Sequence, residues 1–306
     1  MPLRRLSLLL VLPACQDYAL VNVSDGPSDP PGWPNLEIAY PWAEEAEPAP
    51  VDSAEPTFED PILEDTDPGL TIDGIPLAAY PVYAHTRDTL YTVDPVTGDT
   101  LLIGRFLNGN TPVDGMIDIA IDTQGRMFGG TQGDALGNGR TIWRIDPSNG
   151  AVTHHCDTPL VLYAMTFLSD GRLVAGDASD LKAVDLANSC AITTIAHSEQ
   201  WATSGDVVAL PDGLIYWTVR GEDDVDNLVV VQPDSGLMRL QGPVDDGSRG
   251  YGRLYGLGYD ETADALYGFS ADGEIVQINP FNGASQLLNV TEETLWWGAT
   301  TNPVLW

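Results

Sequence analysis

YTVDPVTGDTLLIG at 91–104 reads as a strand, a tight turn and a second strand, and the chain repeats that pattern four more times. The copies are WRIDPSNGAVTHH at 143–155, KAVDLANSCAITTI at 182–195, VVVQPDSGLMRLQG at 229–242 and VQINPFNGASQLLN at 276–289. The turn follows Asp/Asn-Pro-x-x-Gly: proline presets φ, and glycine accepts the left-handed conformation that closes a hairpin. The leading Asp94, Asp146, Asp185 and Asn279 can cap the turn with their side chains, and Gln232 holds that place in the fourth copy. Successive turns start 52, 39, 47 and 47 residues apart, a period that points to repeat architecture.

A second hairpin precedes most copies: IDIAIDTQGRMFGG (117–130), YAMTFLSDGRLVAG (163–176), GDVVALPDGLIYWT (205–218) and YGLGYDETADALYGF (255–269). Each full repeat therefore holds four strands, A to D, as in a propeller blade. The chain ends on LWWGATTNPVLW, a strand A with no successors, and the repeats open on PVYAHTRDTLYTVDP, strands B and C with no strand A before them. Joining the two ends completes one blade and removes a free sheet edge. The expected fold is all-β: a five-bladed β-propeller of four-stranded blades over 76–306, closed by N- and C-terminal strands. The LYTVDP-x-TG type of repeat resembles bacterial propellers of the quinoprotein-like and virginiamycin-lyase-like group. That resemblance implies a fold and leaves function open.

Upstream the composition changes. Residues 1–14, MPLRRLSLLLVLPA, have a charged start at Arg4 and Arg5 and an apolar run too short to span a bilayer, which takes about 20 residues. Leu12, Ala14 and Cys15 resemble the lipobox of bacterial lipoproteins, with Pro13 departing from its usual small residue. The resemblance implies a signal peptide, a lipid on Cys15 that holds the protein to a membrane, and, with Gln16 following, an outer-membrane or cell-surface destination. Residues 15–75 are acidic and Pro-rich, with no Lys or Arg between Arg5 and Arg87. Self-repelling carboxylates and prolines predict a disordered, extended linker.

The chain carries 45 acidic residues against 13 Lys and Arg, a formal net charge of −32, and Lys182 is its only lysine. Such a balance argues against nucleic acid as a partner, because phosphate binding needs released counterions. It also makes lysine-based catalysis implausible. No phosphate loop, Gly-x-Ser-x-Gly motif or zinc-ligand spacing is present, and no cofactor is implied; calcium is the ion the acidic residues could hold. The protein is expected to be a monomer.

The long B–C loops (131–140, 219–227) and D–A loops (107–115, 197–205, 243–253) share one face of the expected propeller, opposite the tight turns. Asp118 and Asp206 occupy equivalent places on strand A, seven residues before Gly125 and Gly213, where they could bind a cation or act as an acid/base pair. Trp201, Tyr251, Trp297 and Tyr163 stand near the strand A entries and could stack a sugar or grip a peptide, and Arg253 lies beside them. These seven residues are the candidate ligand-binding set. Three readings stay open: a cell-envelope binding module for a glycan or protein partner, a lyase or hydrolase using Asp118, Asp206 and Arg253, and a plain scaffold. Cys156 ends one D strand and Cys190 begins the next. An alignment of blades leaves them about five residues, or roughly 17 Å, out of register, which predicts against a disulfide.

Overall fold

The computed structural model describes residues 71–72, 75–76, 80–133, 139–291 and 295–301. The expected signal peptide, Cys15 and nearly all of the expected linker lie outside the described residues; a two-residue hairpin, Thr71–Ile72 with Ile75–Pro76, falls at the end of the acidic stretch.

Five four-stranded antiparallel sheets make five blades. Blade 1 is Met116–Ile121, Met127–Thr131, Thr141–Ile145 and Val152–Asp157; blade 2 is Ala164–Phe167, Leu173–Asp177, Asp180–Asp185 and Ala191–His197. Blade 3 is Thr203–Ala209, Ile215–Arg220, Asp226–Val231 and Met238–Pro243; blade 4 is Leu254–Asp260, Ala265–Ser270, Glu274–Ile278 and Ser285–Val290. Blade 5 is closed from both ends of the chain: Gly298–Thr301 pairs with Val82–His85, followed by Thr89–Val93 and Thr100–Arg105. The register Gly298↔His85 to Thr301↔Val82 joins the termini through a full set of ladder partners. Each strand A contacts the next around the ring, the fifth meeting the first. Burial follows the same radial order: every residue of Met116–Ile121 is buried, whereas most of Val152–Asp157 is exposed. The core fills the gaps between blades, as in the cluster of Val207, Ile215, Trp217, Val219, Val229 and Val231 with Ala196.

The C–D turns form as their residues dictate. Asp94, Asp146, Asp185 and Asn279 each accept, through Oδ1, the backbone N–H two residues on, at 2.9, 2.9, 3.1 and 2.9 Å. Gly98, Gly150, Gly236 and Gly283 take positive φ of 69–76°. Blade 2 differs. Ser189 stands where the glycine would be, and both it and Cys190 adopt positive φ, at 49° and 57°. Each strand D also carries a bulge at one equivalent place, which leaves Ile103, His155, Ile195, Gln241 and Leu288 unpaired in turn. A bulge re-aims its side chain, here toward the following blade.

That geometry corrects the expectation for the cysteines. Cys156 and Cys190 form a disulfide, with Cα atoms 6.4 Å apart. Neighbouring blades are not in register at the rim, because the end of one strand D packs on the C–D turn of the next blade. His155 bonds the Leu186 carbonyl at 3.0 Å, and Asn289 bonds the Thr97 carbonyl at 2.6 Å, in the same manner. Comparing strand D with strand D therefore overstated the separation: Cys156 faces a turn, and Cys190 sits in it.

Candidate functional site

Asp118 and Asp206 meet at the middle of the ring. A bulge between Met116 and Asp118 and an irregularity between Thr203 and Val207 turn these strand A residues toward the axis. Both are completely buried. Asp118 accepts the N–H of Ile119 at 2.8 Å through Oδ1 and the N–H of Met165 in blade 2 through Oδ2. Asp206 accepts the N–H of Val207 at 2.6 Å and that of Leu257 in blade 4 at 2.5 Å. Burial drives both carboxyls up, Asp206 to about 8 and Asp118 well above the carboxylate range. The two carboxyls are within hydrogen-bond reach of each other, and burial disfavours charge on both, so the pair retains protons at neutral pH.

His85, at the end of strand B in blade 5, belongs to the same centre. It is fully buried, and burial lowers it to about 4, so the ring is neutral. Nδ1 bonds the Thr86 carbonyl at 2.7 Å, and Nε2 has no hydrogen-bond partner among the described residues. Gly298 lets these groups approach, since a methyl there would collide with both Asp118 Oδ1 and His85 Nε2. Sequence reasoning did not single out His85; its place on the strand that pairs with the C-terminal strand was the available signal.

The remaining candidates are spread around the long-loop face. Tyr163 is exposed, and Trp201 and Trp297 are half-buried. Arg87 sits 5.6 Å above the Trp297 ring, and Trp201 packs on the core between blades 2 and 3. Tyr251 is buried: its hydroxyl donates to Asp246 at 2.8 Å and Arg249 lies 4.4 Å above its ring. Arg253 takes positive φ and pairs with Asp272. The structure thus brings Asp118 and Asp206 together and leaves the aromatic residues dispersed. Sequence reasoning missed Asp226, at the start of strand C in blade 3. It is buried and raised to about 6 by desolvation, and it ties Ser204 (2.5 Å) to the N–H of Leu254 (2.8 Å).

Among the described residues one group of three metal-ligating side chains converges, His155 with Cys156 and Cys190, and its sulfurs are bonded to each other. Clefts open on both faces. One of about 520 Å³ lies on the long-loop side between the loops of blade 3, lined by Glu222, Asn227, Asp245 and Arg249. A larger one, about 820 Å³, lies beneath blade 2 on the tight-turn side. Neither is lined by Asp118 or Asp206.

No protein-family model matches the chain, and no curated protein matches it. Solved structures similar to it include a gluconolactonase from Xanthomonas campestris, with TM-score 0.47 and 14% identity over 73% of this chain and 76% of that one. TolB from Acinetobacter baumannii gives TM-score 0.45 and 13% identity over 72% of this chain; the match spans 53% of TolB. Virginiamycin B lyase from Staphylococcus aureus gives TM-score 0.40 and 12% identity, covering 66% and 63%.

Proposed function

We propose that this chain is a secreted binding propeller held to the cell envelope by a lipid on Cys15, which holds a glycan or protein partner on its long-loop face. The observation that carries this reading is the sealing of the two central acids. Asp118 and Asp206 have no solvent exposure, and backbone N–H groups of adjacent inner strands occupy them. A general acid must reach its substrate within hydrogen-bond distance; these two instead fasten blade 1 to blade 2 and blade 3 to blade 4. Tyr163, Trp201 and Trp297 keep exposed surface at the strand A entries, where flat rings suit sugars. The disulfide supports export, because such bonds persist in oxidising compartments.

A lyase or hydrolase is the second reading. It draws on one feature, paired acids with raised pKa values, which are enriched at catalytic sites. Thermal shift of the full chain against calcium and a glycan panel separates the two. Binding on the long-loop face predicts a stabilising ligand whose effect is lost in Trp201→Ala or Trp297→Ala and kept in Asp206→Asn. Loss in Asp206→Asn alone would favour the enzyme. No shift from any of these probes would leave a protein partner or a scaffold. For the anchor, Cys15→Ser is expected to move the protein from the membrane fraction to the soluble one.

A further inference from the structure

We propose that the cleft beneath blade 2, on the face opposite the long loops, binds a small organic monocarboxylate, its charged head on Arg144 and its apolar body on Phe167 and Leu186. This site is independent of the long-loop face and goes beyond that reading.

In a chain with 13 Lys and Arg, three arginines line this one cleft: Arg126, Arg144 and Arg172. Two are already neutralised. Arg126 pairs with Asp122 at 2.6 Å, and Arg172 with Asp170 at 2.7 Å and Asp234 at 3.0 Å. Arg144 has no ion pair among the described residues. Its near neighbour Asp146 is occupied by its own turn, accepting from Ser148 at 2.9 and 2.6 Å and from Asn149 at 2.9 Å. The Arg144 guanidinium is held in place all the same, 5.1 Å above the Phe128 ring, which His155 meets edge-on at 5.3 Å and Phe167 at a tilt at 5.8 Å. A stacked guanidinium loses little freedom on binding and offers a planar fork matched to a carboxylate.

Comparison of blades shows that the cleft is particular to this place. Arg144 stands opposite Phe128 in its sheet; Thr92, Ala183, Val230 and Gln277 hold the matching position two residues before the turn in the other blades. Ala183 is the smallest of the five, and it opens the space beneath blade 2 that Arg144 enters from blade 1. The volume of about 820 Å³ falls within the range of small-molecule sites. Arg144 is the one lining arginine without a contact ion pair; with Asp146 attracting it from its turn and Asp170, Asp185 and Asp234 in the lining, the cleft suits at most a single negative charge and disfavours a phosphate dianion. The half-buried Phe167 and Leu186 supply an apolar wall.

The test is isothermal titration of the full chain with 2-naphthoate, and with acetate and inorganic phosphate as comparators. Saturable 2-naphthoate binding is expected, tighter than acetate and phosphate, weakened at least about tenfold in Arg144→Gln and unchanged in Arg105→Gln, an arginine of blade 5 outside the cleft. Should Arg144→Gln fail to fold, Arg144→Lys keeps the charge but loses the fork and is expected to bind several-fold more weakly at unchanged Tm. Absence of 2-naphthoate binding, equal affinity in the Arg144 variants, or phosphate binding as tightly as 2-naphthoate would each overturn the proposal.

Discussion

The junction between blades 1 and 2 and the junction between blades 2 and 3 use the same backbone plan with different chemistry. In each, a bulge in strand D turns one side chain toward the C–D turn of the next blade. Between blades 2 and 3 that residue is Ile195, which packs with Ala196 against Val229, Val231 and Met238, while the next turn closes on Gly236. Between blades 1 and 2 it is His155, exposed, followed by Cys156, and the next turn has lost its glycine to Ser189 and Cys190. The contrast continues inward. Asp118 reaches across the first junction to Met165, whereas a neutral hydroxyl, Thr166, accepts the N–H of Ala209 at 3.1 Å across the second. A repeat fixes where contacts fall, and each junction is free to make them with apolar, polar or covalent means. The junction with the exposed bulge residue is the one with a crosslink, and Cys156 and Cys190 pack at its rim beside Leu186 and Ile192.

The largest effect is expected from the crosslink. Cys156→Ser with Cys190→Ser should lower unfolding free energy by about 2–4 kcal/mol in urea denaturation, as for a bridge closing a loop of this size; the two cysteines are 34 residues apart. A loss near zero would mean that junction 1/2 is as well packed as its neighbour. Next, Ile195→His should destabilise by about 2 kcal/mol, because it exchanges apolar contact for a polar ring at a packed junction. Equal tolerance of histidine at both junctions would break the comparison.

The third effect is a pH dependence at the inner ends. Asp206 is raised to about 8, and Asp118 with it, above an unfolded value of 3.8. The native state therefore binds more protons than the unfolded one between these limits, so the contribution is full below about pH 4 and is lost as pH rises through the folded value. Asp226, raised to about 6, adds a fall at lower pH, and His85, lowered to about 4, opposes it up to 6.5. From pH 6.5 to 8 the central pair acts alone. Stability should fall there by roughly 1–3 kcal/mol per pH unit, for one to two protons held by the pair, and Asp206→Asn should make the slope shallower; an unchanged slope would mean that Asp206 does not hold one of them. The smallest effect is expected from His155→Ile, within about 0.5 kcal/mol of wild type, since an exposed residue at an open junction has little to lose.

Much of the fold was legible before any coordinates. The Asp/Asn-Pro-x-x-Gly turns report local backbone chemistry, and Gly98, Gly150, Gly236 and Gly283 adopt the conformation that glycine was needed for. The orphan strand at the C-terminus found its partner at Val82–His85. The centre was legible in part: equivalent places on strand A pointed to Asp118 and Asp206 as a pair, but nothing local said that both would be sealed or that His85 would join them. Sealing depends on five strands closing around one axis, each contributing a residue or two. The cysteines misled because pairing across blades depends on stagger, and the bulge at His155 and the turn at Ser189–Cys190 set that stagger jointly.

Blade count, hairpins and closure follow from turn chemistry and a two-residue alternation that each segment carries alone. Which acids lose their solvent, which cysteines meet and which arginine lacks a contact ion pair emerge only in the assembled ring. Those properties belong to the gaps between blades, whose spacing is set by twist and bulges summed over the whole ring.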